Sequence, residues 1–203
     1  MPTRQKRYKV IFVLFLTSLL FISGCARSSK YMKETSETTI SSKPESNEAM
    51  VVFMRPSTFK NDFGSSVFDI TENREDLVGI VPAKKKVVYK TNPGEHMFMV
   101  IGETADFMRA NLQAGKTYYA LVTPHMGGWK ARFALRPVSK KELNSKRLNS
   151  WLSSCKIVEN TKDSFEWVKQ NAPSIQSKKQ EFLTEWNARP EKAKPMLNPD
   201  DGL

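Results

Sequence analysis

Between Ala49 and Arg136 the chain is punctuated by turn residues about every 8–12 positions, which cuts its apolar content into segments too short for helices. Met50 to Arg55, Val67 to Ile70, Leu77 to Val81 and Val87 to Lys90 are four such segments. His96 to Ile101 is a fifth, with His96, Phe98 and Val100 on one face and Met97, Met99 and Ile101 on the other. Phe107 to Leu112, Thr117 to Thr123 and Trp129 to Arg136 complete the series. Pro93-Gly94 fits the two central positions of a type II turn. Gly115 and the Gly127-Gly128 pair mark later turns. The expectation is a mainly β domain over residues 49–138, an antiparallel sandwich or open barrel. Helices do not alternate with these segments, so parallel pairing is not expected.

The period changes at Ser139. Ser139-Lys140-Lys141-Glu142 has the form of a capping box, in which serine and glutamate satisfy each other's backbone donors. A helical extension over 139–188 follows, read as three pieces: to Ser154, from Lys162 to Gln170, and from Pro173 to Ala188. From Arg189 the chain has Pro190, Pro195, Pro199 and little apolar content, so 189–203 reads as a disordered tail. Residues 25–48 are rich in Ser, Thr, Glu and Lys and read as a flexible tether.

The first 24 residues are of another kind. Arg4, Lys6, Arg7 and Lys9 precede an uncharged apolar run from Val10 to Ile22. That run is shorter than the roughly 20 residues of a membrane-spanning helix and matches the roughly 7–15 of a signal peptide. It ends in Ile22-Ser23-Gly24-Cys25, which resembles the lipobox of bacterial lipoproteins with Ile in place of the usual Leu. The resemblance implies cleavage between Gly24 and Cys25, lipidation of Cys25, and attachment to the cell envelope. Ala26 at the next position, by the same analogy, points to the periplasmic face of the outer membrane. With Cys25 lipidated, Cys155 has no partner for a disulfide, and its place on the Leu148, Trp151, Leu152 stripe predicts burial.

The whole chain carries a net charge of +11, four units of it in residues 1–24. The remaining basic excess suits anionic lipid or acidic glycan in an envelope; no nucleic-acid motif is present. Lys84-Lys85-Lys86, His125 and Trp129 form the candidate ligand surface, the lysines for phosphate and the indole for a sugar ring or lipid. His96 and His125 are the only histidines and lack the neighbours of a metal site, so no metal or cofactor is expected. No Gly-x-Ser-x-Gly elbow occurs, and nothing in the spacing brings Asp69 and Asp106 together, so no catalytic residue is assigned.

Val78-Gly79, Pro93-Gly94-Glu95-His96 and Ala114-Gly115-Lys116-Thr117-Tyr118-Tyr119 together resemble a family of small uncharacterised bacterial lipoproteins. The Pro-Gly-x-His turn is also similar to surface-layer β-repeats named for a Pro-Glu-Gly-Ala signature. The resemblance covers about residues 49–137 and implies an immunoglobulin- or transthyretin-like sandwich with no assigned activity. The expected function is therefore a non-enzymatic, lipid-anchored binding or scaffold module for an envelope protein or glycan. The alternatives are a structural or stress-related lipoprotein on anionic membrane, and an envelope hydrolase. A Cys25→Ala change is expected to release the chain from the membrane fraction. Mass spectrometry of an N-terminus that retains residues before Cys25, without lipid, would contradict this reading.

Overall fold

A computed structural model describes residues 30–36, 43–59, 64–126 and 131–203. Gly24, Cys25 and Trp129 lie outside the described residues. In chain order the strands are β1 (Met32–Glu34), β2 (Ala49–Arg55), β3 (Ser66–Asp69), β4 (Asp76–Ile80), β5 (Lys85–Thr91), β6 (Gly94–Ile101), β7 (Ala105–Leu112), β8 (Thr117–His125) and β9 (Arg132–Pro137). Helix α1 (Lys146–Ser154), β10 (Lys156–Asn160), helix α2 (Lys162–Ala188) and β11 (Met196–Leu197) follow. A six-stranded sheet has the order β1-β10-β5-β2-β8-β9, and a five-stranded sheet the order β11-β7-β6-β3-β4. The fold is mainly β with a long C-terminal helix.

Alternation along the strands explains why both sheets are covered twice. Val51 and Phe53 of β2 meet Phe98 and Val100 of β6 in the core between the sheets, with the Phe53 and Phe98 rings 5.0 Å apart. Val52 and Met54, the intervening residues of β2, point the other way, under Leu148 of α1 and Cys155. Met99 and Ile101 of β6 likewise point away from the shared core, toward Ile175 and Trp186 of α2. Strands apolar at consecutive positions need a cover on each face. The order of layers is thus helix, sheet, sheet, helix. Gly94 and Gly115 take φ of 125° and 75° at the turns anticipated for them, where an L side chain would be strained.

The sheets are mixed, which corrects the expectation of purely antiparallel pairing. β2 runs parallel to β8, β5 to β10, and β7 to β11. The reason is connectivity. Between β2 and β8 the chain visits the other sheet, and between β5 and β10 it travels through α1; such excursions permit parallel neighbours as a crossover helix does.

Three further expectations are revised. The segment read as a tether contains β1, antiparallel to β10, with Met32 buried in the core. The two helical pieces split at Pro173 are one helix, α2. An interior proline costs about 3 kcal/mol. Burial of Trp167 and Val168 before it, and Ile175 and Trp186 after it, against the five-stranded sheet holds both halves in line. The capping box is present, with Glu142 accepting from the Ser139 backbone at 3.2 Å, but it closes a 3-10 turn at Lys140–Glu142 ahead of α1. Cys155 is a free, buried thiol at the C-cap of α1, as its place on the stripe predicts.

The tail is ordered, contrary to its composition. Leu197 is fully buried, and β11 extends the five-stranded sheet beside β7. Pro199 opens a 3-10 turn whose Asp201 accepts from Asn198 at 2.8 Å and from the Lys140 backbone at 2.7 Å. Leu203 exchanges two backbone hydrogen bonds with Thr117, at 2.9 and 3.0 Å. Prolines at positions needing no N–H donor thus pin the segment across both sheets. Leu197→Ala is expected to lower unfolding free energy by about 2–5 kcal/mol in urea titrations; an unchanged midpoint would show that the strap is dispensable.

Candidate functional site

The site is built at one end of the six-stranded sheet, where the turn from β4 to β5 meets α1. Lys84 closes that turn with a φ of 58°. A non-glycine residue pays about 1–2 kcal/mol for this conformation. Two backbone bonds hold it: the Lys84 N–H donates to the Arg55 carbonyl at 2.7 Å, and its own carbonyl accepts from Lys156 at 3.0 Å. The turn is therefore clamped between the end of β2 and the start of β10, and the Lys84 side chain is exposed.

The three lysines of the triplet have separate fates. Lys85 donates to Glu34 of β1. Lys86 is buried and reaches the Leu152 carbonyl of α1 at 2.8 Å, a cation at a helix C-terminus where the dipole favours it. Lys84 faces a groove.

That groove, about 440 Å³, runs between α1 and the ends of β2 and β8. Ser145 caps α1 by accepting from the Leu148 N–H at 3.1 Å. With Leu148 buried, the helical period turns Arg147, Ser150, Trp151 and Ser154 toward the groove. Leu121, Thr123 and Pro124 of β8 line it from the sheet side. The Arg147 guanidinium lies over the Trp151 ring at 4.8 Å, and that of Arg136 at 5.5 Å. Arg136 is neutralised by Glu142, whose two carboxylate oxygens each accept from its Nη1 at 3.0 Å. Arg147 and Lys84 have no ion-pair partner among the described residues. Two cations on opposite walls, an indole and several hydroxyls form a setting for an anionic group carried on a ring or apolar body.

Of the residues singled out in the sequence, the structure brings Lys84 to Thr123 and Pro124, one residue short of His125. His125 is exposed at the end of β8, its Nε2 3.4 Å from Thr123 Oγ1. Lys85 and Lys86 are committed elsewhere, as described above. Arg147 and Trp151 are the site residues that sequence reading passed over. Their i, i+4 spacing is the signal that pairs them on one helix face.

A second polar cluster surrounds Asp69, fully buried at the end of β3. Its carboxylate accepts from His96 Nδ1 at 2.9 Å, from the Tyr89 hydroxyl at 3.1 Å and from the Thr71 backbone at 3.0 Å. The Thr71 hydroxyl also donates to it, and Arg74 Nη2 lies 3.9 Å away. His96 Nε2 is 2.8 Å from the Asn92 carbonyl. Both ring nitrogens thus face acceptors, which is the pattern of a doubly protonated imidazolium donating at each side. Such a ring has no lone pair for a nucleophile, so this His–Asp contact is not arranged as a general base. Among the described residues no cluster of His, Cys, Asp or Glu could hold a metal ion.

No protein-family model matches the sequence, and comparison with curated proteins finds no match.

The Asp69–His96 pair ties stability to pH. Burial alone would raise the Asp69 carboxyl, but hydrogen bonds from His96 and Thr71 hold it down at about 2, below its ordinary 3.8. Burial would lower the imidazole; the Asp69 bond and the Asn92 carbonyl outweigh it and raise His96 above 6.5. The contribution of Asp69 is present above pH 3.8 and lost as pH falls toward 2. That of His96 is full below pH 6.5 and lost as pH rises through its raised value. His96→Gln is expected to cost about 3–5 kcal/mol near pH 5, with the gap to the parent narrowing above pH 7 in urea unfolding. A gap independent of pH would contradict this.

Proposed function

We propose that the protein is a lipid-anchored envelope lipoprotein, on the periplasmic face of the outer membrane, whose folded part is a non-enzymatic binding module for an anionic envelope component. The Val10–Ile22 run and the Ile22-Ser23-Gly24-Cys25 motif support the anchor. Two face-to-face sheets over a common core support an immunoglobulin- or transthyretin-like kinship for the domain, with the mixed pairing as its variation.

The observation that carries the binding role is the groove beside α1. Lys84 and Arg147 enter it from different elements, each held by its own framework: a strained, doubly bonded turn for one, a tryptophan face for the other. Cations without acidic partners favour a carboxylate or phosphate ligand, and the hydroxyls of Ser57, Ser150 and Ser154 in the same groove favour a sugar over a bare ion. An acidic glycan is the ligand class that satisfies both.

Titration of the chain with a short uronic-acid oligosaccharide tests the reading. A charge-assisted hydrogen bond contributes about 1.5–3 kcal/mol, so the double change Lys84→Glu with Arg147→Glu should weaken binding at least about tenfold. Both residues are at the surface, so the variant should still fold, its melting temperature lowered only by the loss of the Arg147–Trp151 contact of about 0.5–1 kcal/mol, and affinity of the parent should fall with added salt. Equal binding by parent and variant, or by a neutral oligosaccharide, would sink the assignment.

A further inference from the structure

The point where the chain enters the fold is fixed by hydrogen bonds. The one proton of the Thr161 hydroxyl is shared between the Lys30 carbonyl at 3.0 Å and the Tyr31 carbonyl at 3.1 Å. The Thr161 N–H also donates to the Tyr31 carbonyl at 3.2 Å. The Tyr31 and Trp167 rings lie 6.3 Å apart. The entry point is thus stapled to the first turns of α2. Cys25 stands five positions before Lys30, and five residues reach at most about 18 Å even when fully extended. A lipid on Cys25 therefore holds the start of α2 within reach of the bilayer surface.

The outward face of those turns suits that neighbour. Lys162, Phe165, Glu166 and Lys169 follow the i, i+3, i+4, i+7 spacing of one helix stripe, and all four are exposed. Phe165 is 49% exposed, one of few large apolar side chains left open among the described residues. Lys162 has no ion-pair partner among the described residues, whereas Lys169 pairs with Glu166 at 2.9 Å. An open phenyl ring flanked by the unpaired Lys162 on one side and the Lys169–Glu166 pair on the other suits a helix face at a lipid headgroup layer, where the ring enters the interface and the lysine stems lie along it. Among the described residues no helix is long and apolar enough to cross a membrane.

We propose that the Lys162–Lys169 stripe of α2 rests on the phospholipid headgroup layer, with Phe165 in the interface, as a second attachment beside the lipid on Cys25. This rests on the lipoprotein reading above. It orients the domain with the start of α2 at the membrane and the rest of α2 leading away.

The test uses the full lipidated chain in vesicles of phosphatidylethanolamine and phosphatidylglycerol at about three to one. A polarity-sensitive fluorophore is placed on Phe165→Cys and, separately, on Thr184→Cys, an exposed position about 28 Å along the same helix. Cys155 is buried and Cys25 blocked by lipid, so labelling is single. Lipids spin-labelled near the headgroup should quench the fluorophore at 165 at least twofold more than that at 184. Equal quenching, or none at 165 in a chain shown by mass spectrometry to carry lipid on Cys25, overturns the inference alone. A chain without lipid on Cys25 overturns both this inference and the reading beneath it.

Discussion

Val51 and Phe53 must be buried, and so must Val52 and Met54 between them; no single interface can take both pairs, because successive side chains of a strand point to opposite sides. The same holds for Met97 to Ile101 of β6, buried on both faces but for the partly exposed Met97. Each sheet therefore needs two covers. One is the other sheet, and the second is a helix: α1 over the larger sheet, α2 over the smaller. The placement of the groove follows. A short helix laid on a wide sheet cannot reach every edge, and the space left between α1 and the ends of β2 and β8 is lined by Lys84 and Arg147.

Into this apolar arrangement the fully buried carboxylate of Asp69 is set. Asp69 belongs to β3 of the smaller sheet, yet it accepts from Tyr89 on β5 of the larger one as well as from His96 on β6. Apolar contacts fix that two sheets face one another but are tolerant of sliding. A buried carboxylate with donors on both sheets is not, because a shift of an ångström or two leaves charge desolvated and unpaired. The cluster fixes the offset of one sheet on the other.

Much of the strand pattern was legible because it repeats. The face assignment of His96 to Ile101, the turn glycines Gly94 and Gly115 and the burial of Cys155 all follow from period and turn chemistry. The parts that were hidden are short or long-range. Met32–Glu34 and Met196–Leu197 have three and two residues, too few for a period to show, and Lys156–Asn160 has only Ile157 and Val158 as apolar residues; each exists through a distant partner strand. Pro173 misled because the cost of a proline is local while the burial that outweighs it is spread along α2. In the site, Lys84 could be picked out as a turn lysine. That Arg147 would face it could not, since nothing in the local sequence says where α1 is laid.

The staple of Tyr31 to Thr161 joins residues 130 positions apart. At synthesis rates of about 5–20 residues per second, the first strand waits roughly 6–26 seconds for its partner to exist. Until then β1 has no strand to pair with, and β10 itself needs β5 already in place to its other side. β1 is thus among the last strands to settle, although it is the first to be made.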